Sequence, residues 1–376
     1  MPRELKREAM PEIITFAAAI ADSEPYKKRH LILGNGFSIG CRASVFHYSS
    51  LFGEADFSAI PEVSAVFEVL NTQDFEVAIR ALESSSALMS VYASDNPSSA
   101  QTMLDHAAEL KEILVSTIAK NHPGTPNEIE DGEFSACRQF LSHFLGPTNE
   151  GHVFTLNYDL LLYWALMSSD SPFEEDTLGL KKNDGFGNDE DNPDADYVVW
   201  QGETAAHSAS VHFLHGGLHL FDSGSELQKY TWVRKGEPLV EQARAAINGN
   251  KFPLFVAEGT SIQKKSKIRH NAYLYQSFKV LTANAQQGKH CFFLFGHSLA
   301  QNDDHILQRL GRGHFRKLYV GIYGDPTSQL NREIIQRASA LTAQRSDRWR
   351  LEVTFFDSAS ANVWGGAEIS EAPQIL

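Results

Sequence analysis

The sequence predicts an α/β fold: a Rossmann-like, largely parallel sheet with helices on both faces and a helical insertion. Three observations carry that expectation. Short apolar runs rich in β-branched and aromatic residues recur along the chain, helix-period stretches lie between several of them, and polar or glycine-rich clusters follow the runs directly.

In chain order, residues 3 to 21 read as a leading helix, and Lys27 to Leu33 rises into a first strand that ends at Gly34-Asn35-Gly36-Phe37-Ser38. From Ser58 to about Leu145 apolar residues recur three and four apart, as in Val63, Val66, Phe67 and Leu70. This predicts a helical insertion over 58–148 within a single domain spanning 1–376. Strand character resumes at His152-Val153-Phe154-Thr155-Leu156, followed by Asn157-Tyr158-Asp159 and an apolar helix from Leu160 to Met167. Residues 169 to 196 are polar, rich in Gly and Pro and without a period, which predicts a long exposed loop.

Five further runs complete the sheet: Tyr197–Trp200, Val211–Leu214, Pro253–Ala257, Cys291–Phe295 and Leu318–Ile322, with Leu351–Phe356 closing the series. Helical patterns at 265 to 285, 303 to 310 and 327 to 343 fall between them. In open sheets of this kind, ligands sit outside the carboxyl ends of the strands. The clusters at those ends are Gly34-Asn35-Gly36-Phe37-Ser38, Asn157-Tyr158-Asp159, His215-Gly216-Gly217 and Gly296-His297-Ser298. Four clusters at strand ends are expected to share one crevice.

Composition narrows the class. With 376 residues, 42% of them hydrophobic, the chain can bury a large core. A net charge of -14 argues against nonspecific nucleic-acid binding. Cys41, Cys137 and Cys291 are too few and too scattered for a disulfide framework or a four-thiolate zinc site, so a reducing, cytoplasmic setting is expected. No stretch approaches the roughly 20 apolar residues of a membrane span.

Each cluster has a functional and a plainer explanation. Gly34 and Gly36 let backbone approach a phosphate, or simply make a tight turn. Ile39 stands where a dehydrogenase fingerprint needs its third glycine, and no Gly-Lys-Ser or Gly-Lys-Thr occurs, which disfavours hydride transfer and a phosphate-cradling ATPase loop. Asp159 suits a helix cap, whereas Asn157, with a donor and an acceptor, suits a ribose hydroxyl or a water. His215, before two glycines, is expected to be exposed and to act as a base, while His212 and His219 fit sheet or loop positions. Asp184-Gly185-Phe186-Gly187 reads as a glycine turn in a mobile cover. Glu258-Gly259-Thr260 reads equally as a strand-end acid or a helix start. Lys264, Lys265, Lys267 and Arg269 read as a solvated helix face or as a face that meets an anionic partner.

In this order, Gly-Asn-Gly-Phe-Ser, Thr-Leu-Asn-Tyr-Asp, Leu-His-Gly and Gly-His-Ser-Leu resemble the motifs of the sirtuin-like NAD-consuming family. The resemblance runs over most of residues 28 to 325. It implies that Gly34, Asn35, Gly36, Phe37 and Ser38 take the phosphates of NAD+ and that Gly296, His297 and Ser298 meet its adenosine half. Asp159 would face the carboxamide, Asn157 would orient the nucleophile, and His215 would be the base. The four-cysteine zinc module of the protein deacylases is missing, so the look is that of bacterial NAD hydrolases of antiphage defence, acting without a metal. NAD+ cleavage to nicotinamide and ADP-ribose in an abortive-infection response is the activity implied. A non-catalytic NAD or ADP-ribose sensor and an ADP-ribosyltransferase are the alternatives. Control by a homo-oligomer or a HerA-type ring-forming ATPase partner is expected by the same analogy, with no membrane and no direct nucleic-acid binding.

Overall fold

A computed structural model describes residues 10–46, 51–73, 75–93, 97–120, 122–168, 177–230, 238–249, 251–256 and 260–365. Among them are twelve strands: β1 (Ile13–Thr15), β2 (Lys28–Leu33), β3 (Val153–Thr155), β4 (Phe186–Gly187), β5 (Tyr197–Trp200), β6 (Val211–Phe213), β7 (Gly216–Asp222), β8 (Leu227–Tyr230), β9 (Phe252–Phe255), β10 (His290–Phe295), β11 (Lys317–Ile322) and β12 (Glu352–Asp357). Seven form a sheet in the order β1-β12-β11-β10-β2-β3-β6, with every neighbouring pair parallel. The fold is α/β and Rossmann-like, as the sequence predicts.

The parallel core explains the continuous apolar runs. All six residues of β10 and of β11 are buried, which requires cover on both faces. Successive residues point to opposite faces. Phe293 lies 5.3 Å from Phe144 of helix Asp131–Leu145 and 6.2 Å from Phe16 of helix Phe16–Asp22. Phe292, on the other side, meets Phe315 at 4.6 Å and His30 at 4.8 Å. His30 belongs to a row of buried or half-buried histidines near the amino ends of the strands. Its Nε2 lies 2.9 Å from His290 Nδ1, and His152 Nδ1 lies 3.0 Å from His212 Nε2. Burial lowers the pKa of all four rings.

The order of strands sets the position of the site. From β2 the chain moves outward through β3 to β6, then returns to place β10 on the other side of β2 and continues outward through β11 and β12. The reversal between β2 and β10 is a topological switch point, where the loops after the two strands face the same crevice. The described elements between β2 and β3 are helical, including the long pair Phe75–Tyr92 and Pro97–Lys120.

Three expectations change. The leading segment is not one helix: from Ile13 to Thr15 it adds β1 in parallel to β12, and Thr15 Oγ1 then caps helix Phe16–Asp22 by accepting from Ala18 N–H at 3.2 Å. Tyr197–Trp200 and Phe252–Phe255 do not join the main sheet. They enter a second, five-stranded sheet in the order β4-β5-β8-β7-β9, antiparallel throughout. The described part of the expected exposed loop is not all exposed, because Leu180 and Asp184 are buried and Phe186–Gly187 pairs with β5. Asp184 holds Lys229 Nζ at 2.7 Å, so Asp184-Gly185-Phe186-Gly187 anchors a buried ion pair and a strand. Among the described residues no helix is long and apolar enough to cross a membrane.

Candidate active site

Two polar groups stand at the carboxyl ends of the central strands. The first is built by the loops after β2 and β3. Ser38 is buried in the short helix Gly36–Cys41; its Oγ donates to Asp159 Oδ2 at 2.5 Å and accepts from Asn157 Nδ2 at 2.9 Å. The Asn157 amide also donates to Gly34 O at 3.1 Å. Asp159 Oδ1 accepts from Leu161 N–H at 2.9 Å, so this carboxylate caps helix Leu161–Met167 and joins the polar group at once. Burial pushes the pKa of Asp159 up to about 6, against the lowering pull of Ser38 and the Leu161 N–H.

The glycines of the β2 loop have a cause that the sequence does not show. A Cβ on Gly34 would stand 2.6 Å from Gly296 O, and one on Gly36 would stand 2.6 Å from Gly296 Cα. Gly296 itself has φ +66°, and its Cβ would lie 2.5 Å from Phe37 N. The loops after β2 and β10 therefore pack backbone against backbone at the switch point. They are bonded there: Gly34 N–H donates to Phe295 O at 2.9 Å and Gly36 N–H to Gly296 O at 2.8 Å. Phe37 N–H and Ser38 N–H donate within the loop, to Gly34 O and Asn35 O. Phe37 is a core residue, its ring 5.0 Å from Trp364, whose Nε1–H donates to Phe37 O at 2.7 Å.

The second group surrounds His215. The expectation of an exposed ring is overturned, since His215 is only 3% exposed. Gly216, at φ +74°, turns the chain at once into β7, and Val256 N–H holds His215 O at 2.7 Å, which tucks the residue under β9. The His215 ring stacks on His305 at 5.3 Å between centroids, with the two Nε2 atoms 3.1 Å apart. Asp303 Oδ1 lies 4.0 Å from His215 Nε2 and 3.0 Å from Lys264 Nζ, and Asp303 Oδ2 lies 3.4 Å from His297 Nε2. Ser261 Oγ is 3.2 Å from His305 Nδ1 and accepts from His305 N–H at 2.8 Å.

Burial governs the protonation of this group. It lowers the pKa of His215 to about 3 and that of His305 to about 4, although Asp303 pulls both upward, so both rings are neutral at pH 7. Burial alone would raise Asp303, but His297, His215 and Lys264 hold its carboxyl well below the usual range. Leu299, which follows Gly296-His297-Ser298, has φ +56°, an uncommon conformation for a branched side chain, and its N–H donates to His297 Nδ1 at 2.8 Å. Gly296 and Ser298 are half-buried and His297 is buried.

Ser261, Asp303 and His305 are the members that the sequence motifs miss, whereas Lys264 meets an anionic group, Asp303. Lys264 is 4% exposed and is no part of a solvated face. Of Glu258-Gly259-Thr260 only Thr260 lies among the described residues, where it caps helix Ser261–His270 with Gln263. The available signal was Asp303-Asp304-His305, two ligand-type residues two apart at a helix start after a strand. His212 and His219 occupy β6 and β7, as expected of sheet residues. Beside the second group opens a cleft of about 1870 Å³ between aromatic residues such as Phe57 and Phe75 and the helix that carries Ser261 and Lys264.

Residues 31–364 match the family model described as a domain of unknown function (DUF4917), a span that contains both polar groups. No curated protein matches the chain.

Proposed function

The chain belongs to the DUF4917 family, and from that premise we propose that it is an NAD+ hydrolase that cleaves the bond between nicotinamide and ribose. The observation that carries the reading is the meeting of Ser38, Asn157 and Asp159 in one buried hydrogen-bonded group at the ends of β2 and β3, with the neutral ring of His215 at the end of the adjoining β6. These side chains belong to the motifs by which the sequence resembles the sirtuin-like enzymes; Ser38 follows β2 at the switch point of the sheet, and the others follow β3 and β6 beside it.

Cleavage of this bond passes through an oxocarbenium-like ribose and releases a neutral base, so positioning matters more than a strong acid. Asn157 presents an amide already fixed by Ser38 and Gly34, suited to orienting the attacking water. His215, kept neutral by burial, offers a lone pair to take a proton from that water or from a ribose hydroxyl. Asp159 takes the carboxamide, and the loops of Gly34–Ser38 and Gly296–Ser298 take the phosphates and the adenosine half. Phosphate binding exchanges the bond from Gly36 N–H to Gly296 O for one to a phosphate oxygen, so the loops part as NAD+ enters. The same reading makes the protein a cytoplasmic effector of antiviral defence, controlled by self-assembly or by a ring-forming ATPase.

The test is incubation of the purified protein, with and without candidate activating partners, in NAD+, followed by chromatography for nicotinamide and ADP-ribose. Asn157→Ala and His215→Ala are each expected to lower turnover at least about 100-fold, within the range for a positioned acid-base group, while preserving the circular dichroism spectrum. Undiminished turnover in either variant removes the assignment.

A further inference from the structure

We propose that His215, His305 and Asp303 form a binding site for a divalent transition metal of the Zn2+ type. The inference rests on the arrangement of the three side chains and shares only His215 with the function proposed above; the two uses of that ring are mutually exclusive.

The geometry is close to that of a coordination sphere. One ligand atom from each of the three residues lies within 4.8 Å of the other two. The Nε2 atoms of His215 and His305 are 3.1 Å apart and Asp303 Oδ1 is 4.0 Å from His215 Nε2. A tetrahedral Zn2+ with bonds of about 2.0–2.1 Å spaces its ligands roughly 3.3 Å apart. The separations, all within 4.8 Å, exceed that spacing by at most about 1.5 Å, which side-chain adjustments close. Two imidazoles and a carboxylate with open positions are a donor set of zinc hydrolases and of non-haem iron enzymes.

The surroundings prepare the ligands. A metal-bound imidazole normally donates its other N–H to a fixed acceptor. Ser261 Oγ, 3.2 Å from His305 Nδ1 and held by the His305 main-chain N–H, is placed to accept from Nδ1 in the tautomer that carries its proton there. In that tautomer His305 Nε2 carries no proton and stands 3.1 Å from His215 Nε2. Two imidazole nitrogens so close need a proton or a metal cation between them. Asp303 supplies the negative charge, which Lys264 Nζ balances at 3.0 Å. Lys264 also lines the neighbouring cleft, so its ammonium has a place to go when a metal takes over the carboxylate.

Lys264 turns the proposal into a signed prediction. Tag-free full-length protein, stripped with a chelator and dialysed, is titrated with Co2+, followed by absorption, and with Zn2+, followed by calorimetry. One equivalent is expected to bind. Asp303→Asn and His305→Ala are each expected to weaken binding at least about 100-fold, whereas Lys264→Met, which removes the competing cation, tightens it about tenfold. Thermal midpoints and circular dichroism of each variant verify the fold. Absence of stoichiometric binding to the wild type, or binding undiminished in His305→Ala, overturns the site. NAD+ cleavage is measured separately on the stripped protein, with and without the candidate activating partners. Metal binding without cleavage upholds the site and removes the hydrolase; cleavage without metal binding does the reverse. Where both occur, Zn2+ inhibits cleavage in the wild type, and the concentration needed falls about tenfold in Lys264→Met; inhibition that this substitution leaves unchanged means that the metal sits elsewhere and overturns the site.

Discussion

Ser38→Ala is expected to destabilise the protein more at pH 8 than at pH 5. In the wild type the buried Ser38 hydroxyl donates to Asp159 Oδ2 at 2.5 Å and accepts from Asn157 Nδ2 at 2.9 Å. Burial raises the pKa of Asp159 from 3.8 to about 6, while the Ser38 and Leu161 donors oppose the rise. A group raised in the folded state costs nothing below its unfolded pKa, and the fold loses stability as pH climbs through the folded value. Above about pH 6 the hydroxyl serves a carboxylate, a bond worth about 1.5–3 kcal/mol; at pH 5 its partner is largely neutral and the bond is worth about 0.5–1.5 kcal/mol. Losing the acceptor for Asn157 adds about 0.5–1.5 kcal/mol at either pH, because that amide keeps Gly34 O. The total is about 2–4.5 kcal/mol at pH 8 against about 1–3 kcal/mol at pH 5. Urea unfolding of both proteins at both pH values measures the difference, and histidine protonation cancels because both proteins share it. Equal losses, or a greater loss at pH 5, would falsify the assignment of the Ser38 hydroxyl to an ionisable oxygen.

Two further outcomes follow from the loops and the buried rings. Gly296→Ala is expected to cost about 2–4 kcal/mol, combining a left-handed backbone with a methyl forced against Phe37 N and Gly36. Gly224→Ala, at φ +86° but with open space around it, is expected to cost only about 1–2 kcal/mol; urea midpoints of equal size for the two would refute loop-to-loop packing as the reason for Gly296. Burial lowers the pKa of His122 from 6.5 to about 4, while its Nε2 accepts from Leu160 N–H. The unfolded chain therefore binds a proton below about pH 6.5 that the fold refuses until about 4, and this residue alone removes up to about 3 kcal/mol as pH falls through that window. His30, His152, His212 and His290 act with the same sign. His122→Gln, whose amide can still accept from Leu160, is expected to flatten the fall of the urea midpoint with pH; an unchanged slope would mean that the ring is already charged in the fold.

Which parts of this molecule were legible in its sequence follows from the range of the forces involved. Burial on both faces of a parallel sheet writes itself locally, as the unbroken runs Cys291–Phe295 and Leu318–Ile322, and a strand end writes itself as Gly34 or as Asn157. Pairing partners are not written locally. Tyr197–Trp200 reads the same whether its neighbour is parallel or antiparallel, so its place in the second sheet was invisible, as was the short β1 inside an apparent helix. The site divides in the same way. Ser38, Asn157 and Asp159 follow strands directly and were found, whereas Ser261, Asp303 and His305 lie at helix starts that reach His215 only through the fold. The burial of His215 is not legible locally because it depends on the bond from Val256 N–H to His215 O, 41 residues away in sequence, as well as on the turn at Gly216. The glycine loop joins both kinds of information. Its two glycines announce a close approach of backbone, and Gly296 is a group that makes one. A main-chain carbonyl and a phosphate oxygen make the same demand on Gly36 N–H, so the residue that seals the loops is also the one that would release them to a nucleotide.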